Sequence, residues 1–463
     1  MAEEQKKELT AWENCKLLFT ASPGYLLVNL SNFGDSIAYF GILTLLTRFL
    51  GTRIGMSDQL TGMSVSAFTG FVTLFMFGGG FVSDRFGVRR ALNFSLILLA
   101  VGRIMMVLAP AVILPYSFAW SGLFLQAAGE GILYPALYAG AKEYTDARTA
   151  TIGYGFVYAI MNFGILIENF TSPYIRTSDT FLSFGSKKIM GLGLGIDGVF
   201  WICAIFTALI LVLNLLFFTR KTEEKYRRKD IVEEEKAKAH KKVSIKQRIK
   251  ELPFMDLRFM FFIFILLPVR TLFAHQFLTM PDYVFRSYPA AVSAKFEWIN
   301  GLNPLIIVIF VPLIAALTRK MKVIDMMIIG TSVTAATSFI LAPGPNTTAL
   351  ITYMILFSFG EAMWSSRFFE YVADIAPAGQ VGAYMGLAGI PWFLAKFTTG
   401  LYSGSMLEIF IPAQGAQNSG KLWLIYSFIA CITPVVLIMC RRWFLLDQER
   451  LKGVKNARDN ATA

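Results

Sequence analysis

Long apolar runs alternate with short charged loops along almost the whole chain. A helix rises about 1.5 Å per residue, so about 20 apolar residues cross a bilayer core. Twelve stretches qualify: Gly24–Leu50, Gln59–Val82, Ala91–Leu108, Ile113–Ala141, Ala150–Phe170, Gly195–Phe218, Leu257–Phe285, Trp298–Leu317, Val323–Leu341, Ala349–Ile375, Val381–Met406 and Trp423–Cys440. Several exceed what one span requires, which predicts tilt or overhang. Six lie before and six after a charged segment, residues 220–252, with thirteen Lys/Arg against seven Asp/Glu. The predicted organisation is an N-terminal six-helix bundle over residues 1–219, a linker over 220–252 and a C-terminal six-helix bundle over 253–463. Within the linker, residues 241–249 read either as an amphipathic helix on an anionic leaflet or as a solvated charge run.

The loop between the second and third stretches runs Gly80-Phe81-Val82-Ser83-Asp84-Arg85-Phe86-Gly87-Val88-Arg89-Arg90. Gly80 would let two helices approach, and Asp84 can cap a facing helix N-terminus, whose dipole favours an anion. Gly87 permits a tight turn. Arg89 and Arg90 hold the loop on the cytoplasmic side. This Gly-x-x-x-Asp-Arg-x-Gly-x-Arg-Arg pattern resembles the signature loop between helices 2 and 3 of the major facilitator superfamily of secondary transporters. The resemblance implies an all-α membrane protein, twelve transmembrane helices in two six-helix bundles (the major facilitator fold). A faded copy, Leu317-Thr318-Arg319-Lys320-Met321-Lys322, fits two related halves.

Composition agrees. Of 463 residues, 55% are hydrophobic and only 16% charged, where soluble domains carry about 25% charged residues. The net charge of +12 sits mainly in loops on one side. Lys6, Lys7, Lys16, Arg85, Arg89, Arg90, Lys142, Arg148, the linker, Arg319, Lys320, Lys322, Arg441 and Arg442 all fall there. That asymmetry explains the charge better than nucleic-acid binding does, and it predicts two cytoplasmic termini. The polar first twenty residues show no signal-peptide pattern. Cys15, Cys203, Cys431 and Cys440 share no metal or redox spacing. No phosphate-binding Gly-Lys-Ser/Thr loop, His cluster or Ser/His/Asp arrangement appears, so no cofactor is expected and an ion gradient would drive the protein.

Several stretches are similar to the proton-dependent oligopeptide transporter family. Leu302-Asn303-Pro304-Leu305 resembles its Asn-Pro-Leu segment on helix 8. Gly360-Glu361-Ala362-Met363-Trp364-Ser365, followed by Ala376-Pro377, resembles its helix 10 pattern, and Val381–Leu387 and Asn162-Phe163-Gly164 resemble parts of helices 11 and 5. The resemblance implies a substrate-binding role for Glu361, with Ser365 on the same face. The departures are as informative. Where the family has Glu-x-x-Glu-Arg-Phe-x-Tyr-Tyr on helix 1, this chain has Asn32-Phe33-Gly34-Asp35-Ser36-Ile37-Ala38-Tyr39-Phe40. Tyr134 stands before Pro135 in place of a lysine. Ala274 or His275 stands where helix 7 has an acid.

Charges within a bilayer cost at least about 2.5–3.5 kcal/mol each and so face a cavity or a partner. Asn32, Asp35 and Tyr39 share one helix face. They read as a proton or cation site in a central cavity, or as a packing cluster. Arg270 lies within the seventh stretch. In the superfamily, helices 1 and 7 are equivalent, so Asp35 and Arg270 are expected to pair, directly or through substrate. Glu130 and Arg103 are candidates for a mutual pair, Glu130 alternatively for a cavity role. Glu168 and Glu297 lie near helix ends, where solvation suffices. His275 could sense protons or simply pack.

The expected substrate contacts are Asn32, Asp35, Tyr39, Tyr134, Asn162, Arg270, Asn303, Glu361 and Ser365. The expected proton-coupling groups are Asp35, Glu130, His275 and Glu361. Gating on the cytoplasmic side is assigned to Asp84, Arg85, Arg89, Lys142, Arg148, Arg367, Glu370 and Asp374, with salt bridges expected between Lys142 or Arg148 and Glu370 or Asp374. The function expected is proton-coupled alternating-access transport of a small polar solute, including di- or tripeptides. The partners are then substrate, protons and lipid, with no nucleic acid, for a monomer in a plasma membrane of the bacterial inner-membrane kind. An exporter or organic-ion carrier on the same fold, and a non-transporting membrane sensor, are the alternatives. No nucleophile–base spacing suggests an enzyme.

Overall fold

The computed structural model describes residues 22–145, 150–178, 180–184, 187–228, 255, 257–318, 321–375, 384 and 388–462. Twelve long helices are found among them. The first half holds α1 (Pro23–Phe49, extended by a π-helical turn Leu50–Ile54), α2 (Asp58–Phe86), α3 (Val88–Leu108), α4 (Pro115–Tyr144), α5 (Ala150–Arg176) and α6 (Gly195–Phe217). The second holds α7 (Leu257–Leu278), α8 (Phe296–Leu317), α9 (Val323–Thr337), α10 (Thr347–Ile375), α11 (Ile390–Phe410) and α12 (Ser419–Thr462). The stretch at 241–249 lies outside the described residues. Among the described residues, α4 and α11 fall short of the apolar level of the most hydrophobic helices. Both carry inward-facing charges, Glu130 and Lys396.

Local chemistry sets the ends. Ser22 caps α1, accepting from Tyr25 N at 3.3 Å, and Pro23 occupies the first turn, where no amide hydrogen bond is lost. Ser57 caps α2. A single residue, Gly87, separates α2 from α3; its φ of 82° is reached cheaply only without a Cβ. Gly80 makes no close approach, since nothing lies within 4 Å of where its Cβ would be. The approach falls to its neighbour: a Cβ on Gly79 would stand 2.1 Å from the Gly131 carbonyl of α4. In lipid no hydrophobic force draws helices together, so small residues and close backbone contact do that work.

The expected seventh span, Leu257–Phe285, is two helices. α7 ends at Leu278, and a short helix Met280–Ser287 follows, with Pro281 in its first turn. Pro268 interrupts the α7 ladder. The Thr433 hydroxyl of α12 enters the gap, accepting from Val269 N at 3.0 Å and donating to Ile265 O at 2.8 Å. This re-satisfies backbone groups that lipid could not serve. A β-hairpin, Thr180–Phe184 with Lys187–Met190, joins α5 to α6. The last helix, expected over Trp423–Cys440, runs on to Thr462.

The halves meet chiefly where α2 packs on α11 and α5 on α8. The α2–α11 seam is backbone-close: a Cβ on Gly404 would stand 2.2 Å from Asp58 O, and one on Gly62 2.9 Å from Gly400 O. Ser66 Oγ donates to Phe397 O at 2.6 Å in the same seam. The contrast of adjacent glycines is testable. Gly79→Leu should destabilise by about 1–3 kcal/mol or more, since neither facing backbone can yield. Gly80→Ala should leave the thermal unfolding midpoint in detergent unchanged.

Candidate functional site

Between the halves lies a narrow cavity with aromatic walls. Tyr134 of α4 and Tyr158 of α5 line it from one half. Arg270, Phe273 and Ala274 of α7, Glu361, Trp364 and Ser365 of α10, and Trp392 with the approach to α11 line it from the other. Arg270 is the one cation among these lining residues and Glu361 the one acid. The Arg270 guanidinium stacks over Trp364 and Phe368, with centroids 5.0 and 4.7 Å away. Rings this close attract the guanidinium without using its N–H donors. Asn303 of α8 donates to Glu361 Oε2 at 2.6 Å and to Ser358 Oγ at 3.2 Å. This fixes the carboxylate. Tyr134 reaches across from α4, with Gly389 beneath it: a Cβ there would be 2.4 Å from the ring.

Of the residues expected to bind solute, Tyr134, Arg270, Glu361 and Ser365 are thus brought together, with Asn303 behind Glu361. The others are not cavity lining. Asn32 Nδ2 donates to Val157 O at 2.7 Å, tying α1 to α5. Asn162 donates to Tyr158 O at 2.9 Å, a turn back on its own helix.

Asp35 is not paired with Arg270. It accepts from Arg103 of α3 at 2.7 Å, and the same nitrogen lies 3.2 Å from Glu130 Oε1 of α4. The other terminal nitrogen donates to Thr207 Oγ1 of α6 at 2.5 Å. Arg103 is fully buried. The expected Glu130–Arg103 pair is present, and Asp35 joins it because α1, α3 and α4 belong to one bundle and pack together. Tyr39, one turn beyond Asp35, accepts a hydrogen bond at 3.1 Å from Lys396 Nζ of α11.

Lys396 was not among the expected site residues. Its signal was legible: a single lysine deep inside the eleventh apolar stretch. Tyr158 and Trp392, also unexpected, had no comparable signal, because aromatic residues in apolar helices are commonplace. His275, expected to handle protons, stacks on Tyr426 at 3.5 Å and contacts Thr279 Oγ1 at 2.8 Å and Tyr402 Oη at 3.2 Å. It is packed among α7, α11 and α12 and does not line the cavity.

The bundle end opposite the termini, where α1 passes to α2, is closed by ion pairs between halves. Arg286 holds Asp58 through two bonds of 2.6 Å and also reaches Asp282 at 3.2 Å. Arg48 pairs with Asp282 at 3.1 Å. Arg176 of α5 clasps Glu297 of α8 at 2.6 and 2.7 Å. Glu168 and Glu297 are therefore not solvated helix-end acids: both are buried, and Glu168 has no ion-pair partner among the described residues.

At the opposite end the expected gate is only partly described. Arg367 donates to Thr318 O and Oγ1 at 2.8 and 2.9 Å, within its own half. Arg89 pairs with Glu223 of the short helix Arg220–Tyr226 at 2.9 Å, Arg85 lies over its neighbour Phe86, and Lys142 is exposed. Arg148 and the side chains of Asp84, Glu370 and Asp374 lie outside the described residues.

Two six-helix bundles enclosing a midplane cavity, with charged groups turned inward, define a membrane-transporter fold. The chain belongs to the Major Facilitator Superfamily, whose family model matches residues 28–400. Among solved structures it is similar to a POT family transporter in complex with 5-aminolevulinic acid, at 16% identity and TM-score 0.67, covering 91% of this chain and 97% of that one. It is also similar to a bacterial homologue of the human drug peptide transporters PepT1 and PepT2 (16%, TM-score 0.65, 93% and 99%). A mutant form of the nucleoside transporter NupG aligns with TM-score 0.64 at 14% identity, covering 90% and 99%. No curated protein matches the sequence.

Arg103→Gln removes the guanidinium and leaves two carboxylates together in the dry interior. Breaking such a pair costs about 3–5 kcal/mol. A large fall in the unfolding temperature in detergent is expected, with most of it recovered when Asp35→Asn and Glu130→Gln are added.

Proposed function

We propose that the protein is a proton-coupled secondary transporter of small amino-carboxylic solutes, short peptides included, working by alternating access. The observation that carries this is the pairing of opposite charges on the cavity wall: Glu361, fixed by Asn303, for an ammonium, and Arg270, held on Trp364 and Phe368, for a carboxylate. The structural relatives crystallised with 5-aminolevulinic acid and with a peptide conjugate support this class, since both ligands contain amine-derived and carboxyl-derived groups. The aromatic remainder of the wall suits the apolar body of such a solute.

Coupling to protons rests on the Asp35–Arg103–Glu130 cluster. Two carboxylates share one guanidinium, and like charges so close in a dry site favour uptake of a proton. Loop charge supports cytoplasmic termini, and on that orientation the ion pairs of Arg48, Arg176 and Arg286 close the outer face. The cavity is then held from the inner side by Tyr134. In this reading the protein works as a monomer in the plasma membrane and draws on the proton gradient without a cofactor.

The test is uptake into proteoliposomes under an imposed pH gradient, with a panel of dipeptides, amino acids and organic anions. Acid outside should accelerate accumulation of the amino-carboxylic members. Glu361→Gln and Arg270→Gln should each lower uptake by about tenfold or more, equivalent to about 1.4 kcal/mol or more of lost binding. Asn303→Ala should have a smaller effect in the same direction. Failure of every amino-carboxylic solute to respond to the gradient, or wild-type uptake by both charge variants, would overturn the assignment.

A further inference from the structure

We propose that Lys396 is the counter-charge by which the C-terminal half responds to the protonation state of Asp35 and Glu130, and that its seat against Tyr39 keeps the outer face closed. The inference rests on the proton-coupled reading above and assigns it a residue in the other half.

Lys396 is 1% exposed and sits at the junction of the bundles. Its ammonium is surrounded by the rings of Tyr39 and Phe40 from α1, at 5.2 and 5.9 Å, and of Phe277, Trp392 and Phe393 from the C-terminal half, at 5.4, 5.2 and 5.4 Å. An ammonium has three donors; among the described residues its hydrogen-bond acceptor is the Tyr39 hydroxyl. Aromatic faces attract a cation but do not replace a counter-ion. The counter-ion lies across the junction: Glu130 is within electrostatic reach of Lys396, and Tyr39 is one turn from Asp35.

Charge arithmetic then links the halves. With both acids ionised, Asp35 and Glu130 balance Arg103 and Lys396. Taking one proton from water onto the acid pair leaves the cluster with one positive charge in excess. Arg103 is held by three partners within its own bundle, so Lys396 is the cation free to leave. It is carried by α11, whose Gly400 and Gly404 form the close seam with α2 beneath the outer ion pairs. Movement of Lys396 away from Tyr39 therefore pulls on the seam itself. The other charged or titratable groups near this region are Arg270 and His275 on α7, Asp58 on α2, and Glu168 on α5, whose carboxylate lies against Gly41 of α1. Arg270 is stacked in the cavity, His275 is engaged by Tyr402 and Thr279, and Asp58 is bound to Arg286.

The experiment needs no substrate. Nitroxide labels at Thr52 and Gln414, exposed positions of the two halves at the outer end, report its opening by pulsed electron-spin distance measurement in lipid nanodiscs, with the native cysteines replaced by serine. The sample is titrated from about pH 8 to about pH 4, across the carboxylate range. The wild-type residues at 35, 130 and 396 should give a short distance at high pH and a growing long-distance population as pH falls. In Lys396→Met the two populations should no longer depend on pH, whereas Lys396→Arg should keep the titration. Tyr39→Phe, which keeps the ring and loses only the acceptor oxygen, should move the midpoint upward by about one pH unit and remains informative if Lys396→Met fails to fold. An unaltered titration in Lys396→Met, or an unmoved midpoint in Tyr39→Phe, overturns the role of Lys396 alone. A distance that ignores pH with the wild-type residues present overturns the proton-coupled reading and this inference with it.

Discussion

One guanidinium organises the first half of the molecule. Arg103 is wholly enclosed, and its partners come from α1, α4 and α6 while it projects from α3. In a medium of low polarity such a group cannot be left unpaired, so four helices are obliged to meet at one depth in the membrane. The same contact creates a problem it cannot solve within the bundle. Two carboxylates against one cation leave a negative charge that has to be met by a proton or by a cation from elsewhere. An imbalance of this kind makes a rigid bundle sensitive to its surroundings, because the missing charge must come from outside it.

The ties between the halves at the end opposite the termini are of a different character. Arg286 and Asp58 retain 11% and 21% side-chain exposure and Arg48 retains 21%, while Glu297, clasped by Arg176, is as dry as Arg103. Where water can reach the separated charges, as at Arg48 and Asp58, breaking a pair costs less than it does in a dry cluster. A transporter needs this inequality. The bonds inside a bundle have to survive every cycle, while those between bundles have to be broken each time. In the seam of α2 and α11 the small residues let backbone meet backbone at Gly62, Gly400 and Gly404, and let the Phe397 ring lie over Gly70.

Much of this architecture is written in the sequence as local pattern. Twelve apolar runs became twelve helices, and the isolated Gly87 between charged residues became the one-residue turn at φ 82°. Neither requires knowledge of what packs where. Pairing does. Asp35 and Arg103 are 68 residues apart, and no helical spacing connects them. Matching Asp35 to Arg270 by the equivalence of helices 1 and 7 fails because Asp35 meets Arg103 inside its own bundle, while Arg270 lies against Trp364 and Phe368 of the other. Glu168 departs from expectation for a related reason. Its place near the helix end suggested water, but α8 packs on α5 and Gly41 of α1 lies against the Glu168 side chain. Lys396 is visible in the sequence as an intramembrane charge; what the sequence hides is the aromatic seat across the junction that receives it.

The substitutions that set this chain apart from the peptide-transporter pattern now have a common physical sense. Tyr134 stands where that pattern has a cation, and its ring presses on Gly389 of the opposite half. Removing a charge there and inserting an aromatic plug leaves Arg270 as the one positive group on the described wall. Arg270 lies against the rings of Trp364 and Phe368, and in the proposed function its donors take a carboxylate, which two parallel hydrogen bonds can engage. Glu361, from the same half, is held by Asn303. In the proposed function, recognition depends on the distance and angle between a solute's two charged ends. The aromatic walls set how bulky the part between them can be.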